Sequence, residues 1–71
     1  MNISFDEQAD ALYIQFQKGN VKKTLKVRDG LMVDIDDEGR IFGIEILDVS
    51  HRIPRETIGD VNIHFPVKVA T

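Results

Sequence analysis

A chain of 71 residues with 42% apolar and 30% charged residues, a net charge of −3 and no cysteine has room for one domain, spanning 1–71, and none for a deep cleft between subdomains. It excludes disulfides, thiolate metal sites and cysteine nucleophiles, and the acidic balance argues against a general nucleic-acid surface. No apolar run nears the roughly 20 residues of a membrane span, and the opening residues carry neither a basic region nor a long apolar stretch, so the expectation is a soluble, cytoplasmic chain.

The dominant period is two, the signature of strands. Ile3 and Phe5 alternate with polar residues, and Asp6 to Asp10 form a polar bend. Leu12, Ile14 and Phe16 alternate with Tyr13 and Gln15, and Lys18-Gly19-Asn20 make a turn. Val21, Leu25 and Val27 oppose Lys22, Thr24, Lys26 and Arg28, with Lys23 breaking the apolar side, so this strand is expected to be short or at an edge. Asp29-Gly30 is a strong hairpin signal between alternating flanks. Leu31, Val33 and Ile35 follow, then the turn Asp37-Glu38-Gly39-Arg40. The run from Ile41 to Val49 is apolar nearly throughout and reads as a central strand covered on both faces. Pro54, Glu56 and Gly59 frame one helical turn, with 49–53 as a connector or second turn. Val61, Ile63, Phe65, Val67 and Val69 then alternate as a final strand, which Pro66 confines to an edge or a bulge.

The expected fold is mainly β with a minor α+β character: an antiparallel meander of five to six strands with one short helix near residues 50–58. No gap before Asp48 is long enough for the dozen-residue crossover that parallel strands need. At the turn after Asp36 two registers compete. A three-residue loop with a left-handed Gly39 pairs Asp36 with Arg40. A four-residue loop pairs Ile35 with Phe42 and Val33 with Ile44, and is favoured because it keeps the alternating apolar residues on one face.

The chain resembles a small bacterial and archaeal family, the domain of unknown function 2283. The resemblance rests on Ile3-Ser4-Phe5-Asp6, Ala9-Asp10-Ala11-Leu12-Tyr13-Ile14, Val27, Asp29-Gly30, Val33-Asp34, Asp36-Asp37-Glu38-Gly39-Arg40 and Gly43-Ile44-Glu45-Ile46-Leu47-Asp48-Val49-Ser50. It implies an antiparallel β fold in a small stand-alone chain, with no catalytic residues to carry over. Family members encoded beside toxin-like genes imply an antitoxin-like or binding role, which is an association and not a mechanism.

Residues 34–45 nearly match a calcium-loop pattern, with acids at loop positions one, three and five, Gly39 at six and Glu45 at twelve. The flanks have strand rather than helix periodicity, so the bland reading is a solvated acidic turn, with Asp34, Asp36 and Glu38 as weak ion ligands at most. Glu45, inside the most apolar strand, calls for a partner if buried; Lys23, Arg28 or Arg52 could pair with it. Asp10 is expected to bond backbone N–H groups of its own turn. His51 and His64 are expected at the surface, because two isolated histidines make no zinc site. Ser50-His51 point opposite ways on a strand and form no nucleophile–base pair. Lys18, Lys22, Lys23, Lys26 and Arg28 read as a solvated face that protects an edge.

Nothing in the pattern asks for a cofactor or for catalysis. The functional expectation is a non-enzymatic protein-interaction module, a homo-oligomer or half of a two-protein complex, with Ile41, Leu47 and Val49 near the contact. The alternative is an ion-binding protein using the acidic turn; a small enzyme is the third reading.

Overall fold

The computed structural model describes residues 1–66. Five strands form one antiparallel sheet: β1 (Asn2–Asp6), β2 (Ala11–Gln15), β3 (Lys23–Arg28), β4 (Leu31–Ile35) and β5 (Ile41–Leu47). A 3-10 turn at Val49–His51 and one α-helical turn, α1 (Arg55–Ile58), follow. Among the described residues no helix is long and apolar enough to cross a membrane.

The strand order is β1-β2-β5-β4-β3. The β3-β4-β5 part is a meander as expected, but β2 does not neighbour β3. The last strand is inserted between two hairpins. The reason is burial: β5 has apolar residues on both faces and takes the centre, whereas β3 carries its lysines at the edge, every residue exposed.

At the first β3–β4 pair Arg28 faces Leu31, so Asp29 and Gly30 form a two-residue turn. Only Gly30 has positive φ there, at 75°. The turn is therefore not the mirror-image type I′, and the register shift between Lys26 and Arg28 absorbs the mismatch in twist. At the second turn both registers foreseen from sequence are partly realised. Asp36 and Arg40 close a three-residue loop through Asp36 N–H to Arg40 O at 3.1 Å, with Gly39 at φ 81°. A bulge that sets Ile35 opposite Ile41 then restores the pairing of Val33 with Ile44.

Directly paired residues share a face. One face carries Ile3, Phe5, Leu12, Ile14, Phe16, Leu25, Leu31, Val33, Ile35, Phe42, Ile44 and Ile46. The other carries Asn2, Ser4, Tyr13, Gln15, Thr24, Lys26, Met32, Asp34, Gly43 and Glu45, with Ile41 and Leu47 at the ends of β5.

Among the described residues the apolar face is covered only at its two ends. At one end the loop after β2 lies on Phe42, close enough that a Cβ on Gly19 would sit 2.3 Å from the ring. At the other end lie buried Leu12 and fully buried Val49. Val49 was expected near a contact between chains; it is instead core. Asp48 takes the left-handed conformation, φ 52°, and turns the chain off the strand, so Val49 does not continue its alternation.

Pro54 precedes α1 and Gly59 follows it, as their backbone preferences dictate. Val61 to Pro66 do not form the expected strand: they pair with no neighbour and are exposed. Nothing in the described chain supplies a ladder for them, and Pro66 has no N–H to donate. Residues 67–69 of that expectation lie outside the described residues.

Candidate interaction surface

The polar face holds a four-residue cluster across four strands. Asp34 on β4 is 5% exposed. It accepts a hydrogen bond from the Thr24 hydroxyl on β3 at 2.8 Å. Tyr13 on β2 and Glu45 on β5 are direct cross-strand partners, and both lie close enough to the Asp34 carboxylate for it to shift their titration. Asp34 itself stands opposite Gly43. That glycine makes the arrangement possible, because a Cβ there would lie 2.4 Å from the Tyr13 hydroxyl oxygen.

Among the described residues no cation pairs with Asp34 or Glu45. The expected partners of Glu45 are elsewhere. Lys23 belongs to the apolar side of β3, and the Arg52 guanidinium donates to the Asp29 carbonyl oxygen. Glu45 meets another acid instead. Burial, then the hydrogen bond to Asp34 and its charge, push the Glu45 carboxyl above its usual range. Burial and the same acidic neighbours push the Tyr13 phenol up as well.

The acidic turn does not gather its carboxylates. Asp36 accepts from the backbone N–H of Glu38 and of Arg40, both at 2.9 Å, and from Arg40 Nε at 2.7 Å. Burial raises its pKa, but these hydrogen bonds outweigh it and hold the carboxyl below its usual range. Glu38 pairs with the Arg40 guanidinium at 2.8 Å. Asp34 belongs to the cluster described above. Among the described residues no three acids, histidines or cysteines come together as a metal set.

The role foreseen for Asp10 belongs to Asp6, whose carboxylate accepts from Gln8 N–H at 3.0 Å and Ala9 N–H at 3.1 Å. Asp10 takes φ 52° and reaches across the fold to Ser50, accepting from its hydroxyl at 2.7 Å and its N–H at 3.1 Å. The Ser50 hydroxyl bond leads the causes that lower the Asp10 pKa. Ser50 thereby latches the segment after β5 onto Asp10. His51 and His64 are both exposed.

A hollow of about 210 Å³ lies beside Tyr13 and Glu45, lined also by Ser4 and Leu47. It falls short of the roughly 300–1,000 Å³ of ordinary ligand sites. A larger hollow of about 530 Å³ lies at the Asp29-Gly30 hairpin, lined by Lys26, Val27, Arg28, Asp29 and Arg52, away from the acid pair.

The apolar face presents the other candidate surface. Ile3, Ile14, Ile44, Val33 and Leu25 are paired in sequence across all five strands and make one unbroken row. Ile3 is 40% and Leu25 47% exposed, and the three between them are half-buried. Among the described residues no element lies over this row with the density of a packed core: β-strand pairs account for the dense contacts. Ile41 and Leu47, the contact candidates read from sequence, are also exposed, but on the polar face at opposite ends of β5 with Gly43 and Glu45 between them. Sequence reasoning did not find the Tyr13–Asp34–Glu45 group. The Val33–Ile44 register, which it did favour, already places Asp34 opposite Gly43 and diagonal to Glu45.

No curated protein and no solved structure is significantly similar to the chain. A family model does match, that of the proteins of unknown function DUF2283, over residues 2–50. The match runs from the start of β1 to Ser50, so it spans the whole sheet and ends at the residue that latches onto Asp10. The chain belongs to the DUF2283 family.

Proposed function

We propose that the chain is a non-enzymatic protein-interaction module that works as a pair of identical copies, their sheets packed through the apolar face. A cytoplasmic setting belongs to the same proposal. The observation that carries it is the open row Ile3–Ile14–Ile44–Val33–Leu25. A face this apolar, free of charge on its four consecutive strands β1, β2, β5 and β4, is of the size of the largest apolar patch of an ordinary monomer, which is often a functional surface. Lys23 at its margin fits the polar rim of an interface.

Size supports the reading. Five strands at about 4.8 Å spacing and about 3.3 Å per residue give a patch of about 24 by 17 Å, on the order of 400 Å² in projection. Burying about half of that face on each of two copies, about 400 Å² in all, gives about 10 kcal/mol gross, within the range of the association cost of about 4–15 kcal/mol. Two twisted sheets facing each other at about 10 Å form an ordinary sandwich core.

Sedimentation of the wild type with Leu25→Glu and Leu47→Asp variants tests this. Leu25 is an edge position, so its charge variant should fold and run as a monomer while the wild type and Leu47→Asp run as dimers. If Leu47→Asp dissociates the pair and Leu25→Glu does not, the contact lies on the polar face and the reading is wrong. An antitoxin-like role would place a different protein on the same row, and a monomeric wild type that binds such a partner would favour it.

A further inference from the structure

Two features bear on the edge of the sheet. Val61, Ile63 and Phe65 are 55%, 59% and 77% exposed, alternate with polar residues, and have no ladder partner among the described residues. The outer edge of β1 is also unpaired among the described residues, where β1 has a single neighbour, β2. An exposed apolar strand edge invites pairing. The helical turn that precedes residues 61–65 is tied to the end of β1, since the Arg55 guanidinium binds the Glu7 carboxylate just beyond it.

We infer that residues 61–65 of one copy add to β1 of the second copy as a sixth strand, reciprocally, in the pair proposed above. The inference rests on that pairing and names the segment that locks it. Strand addition of this kind draws affinity from main-chain hydrogen bonds and specificity from alternate side chains. The alternation fits. With His64 set antiparallel to Ser4, Phe65 stands beside Ile3 and Ile63 beside Phe5 on the apolar face, and Asn62 stands beside Asp6 on the polar face. Residues 62–65 then lie beside residues 3–6, four of the five residues of β1. Pro66, with no N–H, stands beside Asn2 at the very end of β1, where a missing ladder bond costs least. The opposite edge, β3, is a poorer acceptor, because Lys23 takes the place on its apolar side that Ile3 and Phe5 hold on β1. Exchange between copies, and not folding back, accounts for the arm: it follows a helical turn tied to the end of its own β1, yet pairs with no strand among the described residues. A two-fold exchange of identical segments closes on itself and leaves no open end.

The chain has no cysteine, so disulfide trapping reads the contact directly. The double variant Ser4→Cys, His64→Cys should oxidise to a covalent dimer in most chains, and a Lys26→Cys, His64→Cys control should not. Single variants Ser4→Cys and His64→Cys, mixed and oxidised, should form the mixed dimer. A disulfide within one chain would show that the arm folds back and would overturn the inference. So would no cross-link above the control in a wild type that sediments as a dimer, which leaves the apolar-face pairing intact. A monomeric wild type removes both.

Discussion

The two faces of this sheet are built from the same five strands, yet they close in opposite ways. The polar face completes itself. Thr24 donates to the buried Asp34 carboxylate, and no buried side-chain polar atom among the described residues lacks a partner. The apolar face does not complete itself: its ends are capped near Phe42 and Leu12, and its middle row faces water. Hydrogen bonds are directional and saturate within a chain, whereas apolar burial needs area, and a chain of this length has too little left to make a second layer. The polar face is thus a feature of stability, and the apolar face is the surface we propose for contact.

The largest expected effect lies on the capped end of the apolar face. Phe42→Ala empties the space beside Gly19 and should cost about 3–5 kcal/mol, enough to unfold much of the population, as urea titration would measure. Next is the close approach on the polar face. Gly43→Ala sets a Cβ against the Tyr13 hydroxyl and should destabilise by on the order of 1–3 kcal/mol. Adding Tyr13→Ala should recover part of that loss, a non-additivity that a double-mutant cycle would quantify. If the two changes simply add, the contact does not matter.

The acid pair should give the sheet an unusual response to pH. The folded-state pKa of Glu45 is raised, so its contribution is fully present below the unfolded value near 4.5 and is lost as pH rises through the folded value. Asp10 and Asp36 act in the other direction. Their folded pKa values are depressed, so their contributions are present above the unfolded value near 3.8 and are lost as pH falls through the folded values. Stability should therefore peak in mildly acidic solution. Glu45→Gln, which removes the half-buried charge beside Asp34, should raise the melting temperature at neutral pH by a few degrees and flatten the alkaline side of the profile. The smallest effect is expected at the Glu7–Arg55 pair, both side chains about two-thirds exposed. Glu7→Gln should change stability by less than about 1 kcal/mol.

Much of this architecture could be read from residue order because its determinants are local. The Asp29-Gly30 hairpin, the central place of β5, the short helix and the pairing of Val33 with Ile44 follow from period, turn chemistry and two-sided apolarity. The turn at 36–40 shows the limit: loop chemistry favoured one register and strand patterning another, and a bulge satisfies both. Non-local choices were not legible. Nothing in the segment after β2 says that the chain passes β5 before reaching β3. The Tyr13–Asp34–Glu45 cluster needs β2 and β4 on either side of β5, a fact of topology. The expected last strand failed for a related reason, since alternation makes a strand only where a ladder exists to receive it.

The central claim is that the open apolar row is a contact between two copies. It is tested most directly by isotope-filtered nuclear Overhauser measurements on a mixture of labelled and unlabelled chain. Cross-peaks between copies should involve the methyl groups of Ile3, Ile14, Val33, Ile44 and Leu25. Intermolecular cross-peaks confined to Ile41 and Leu47, or none in a concentrated sample, would contradict it.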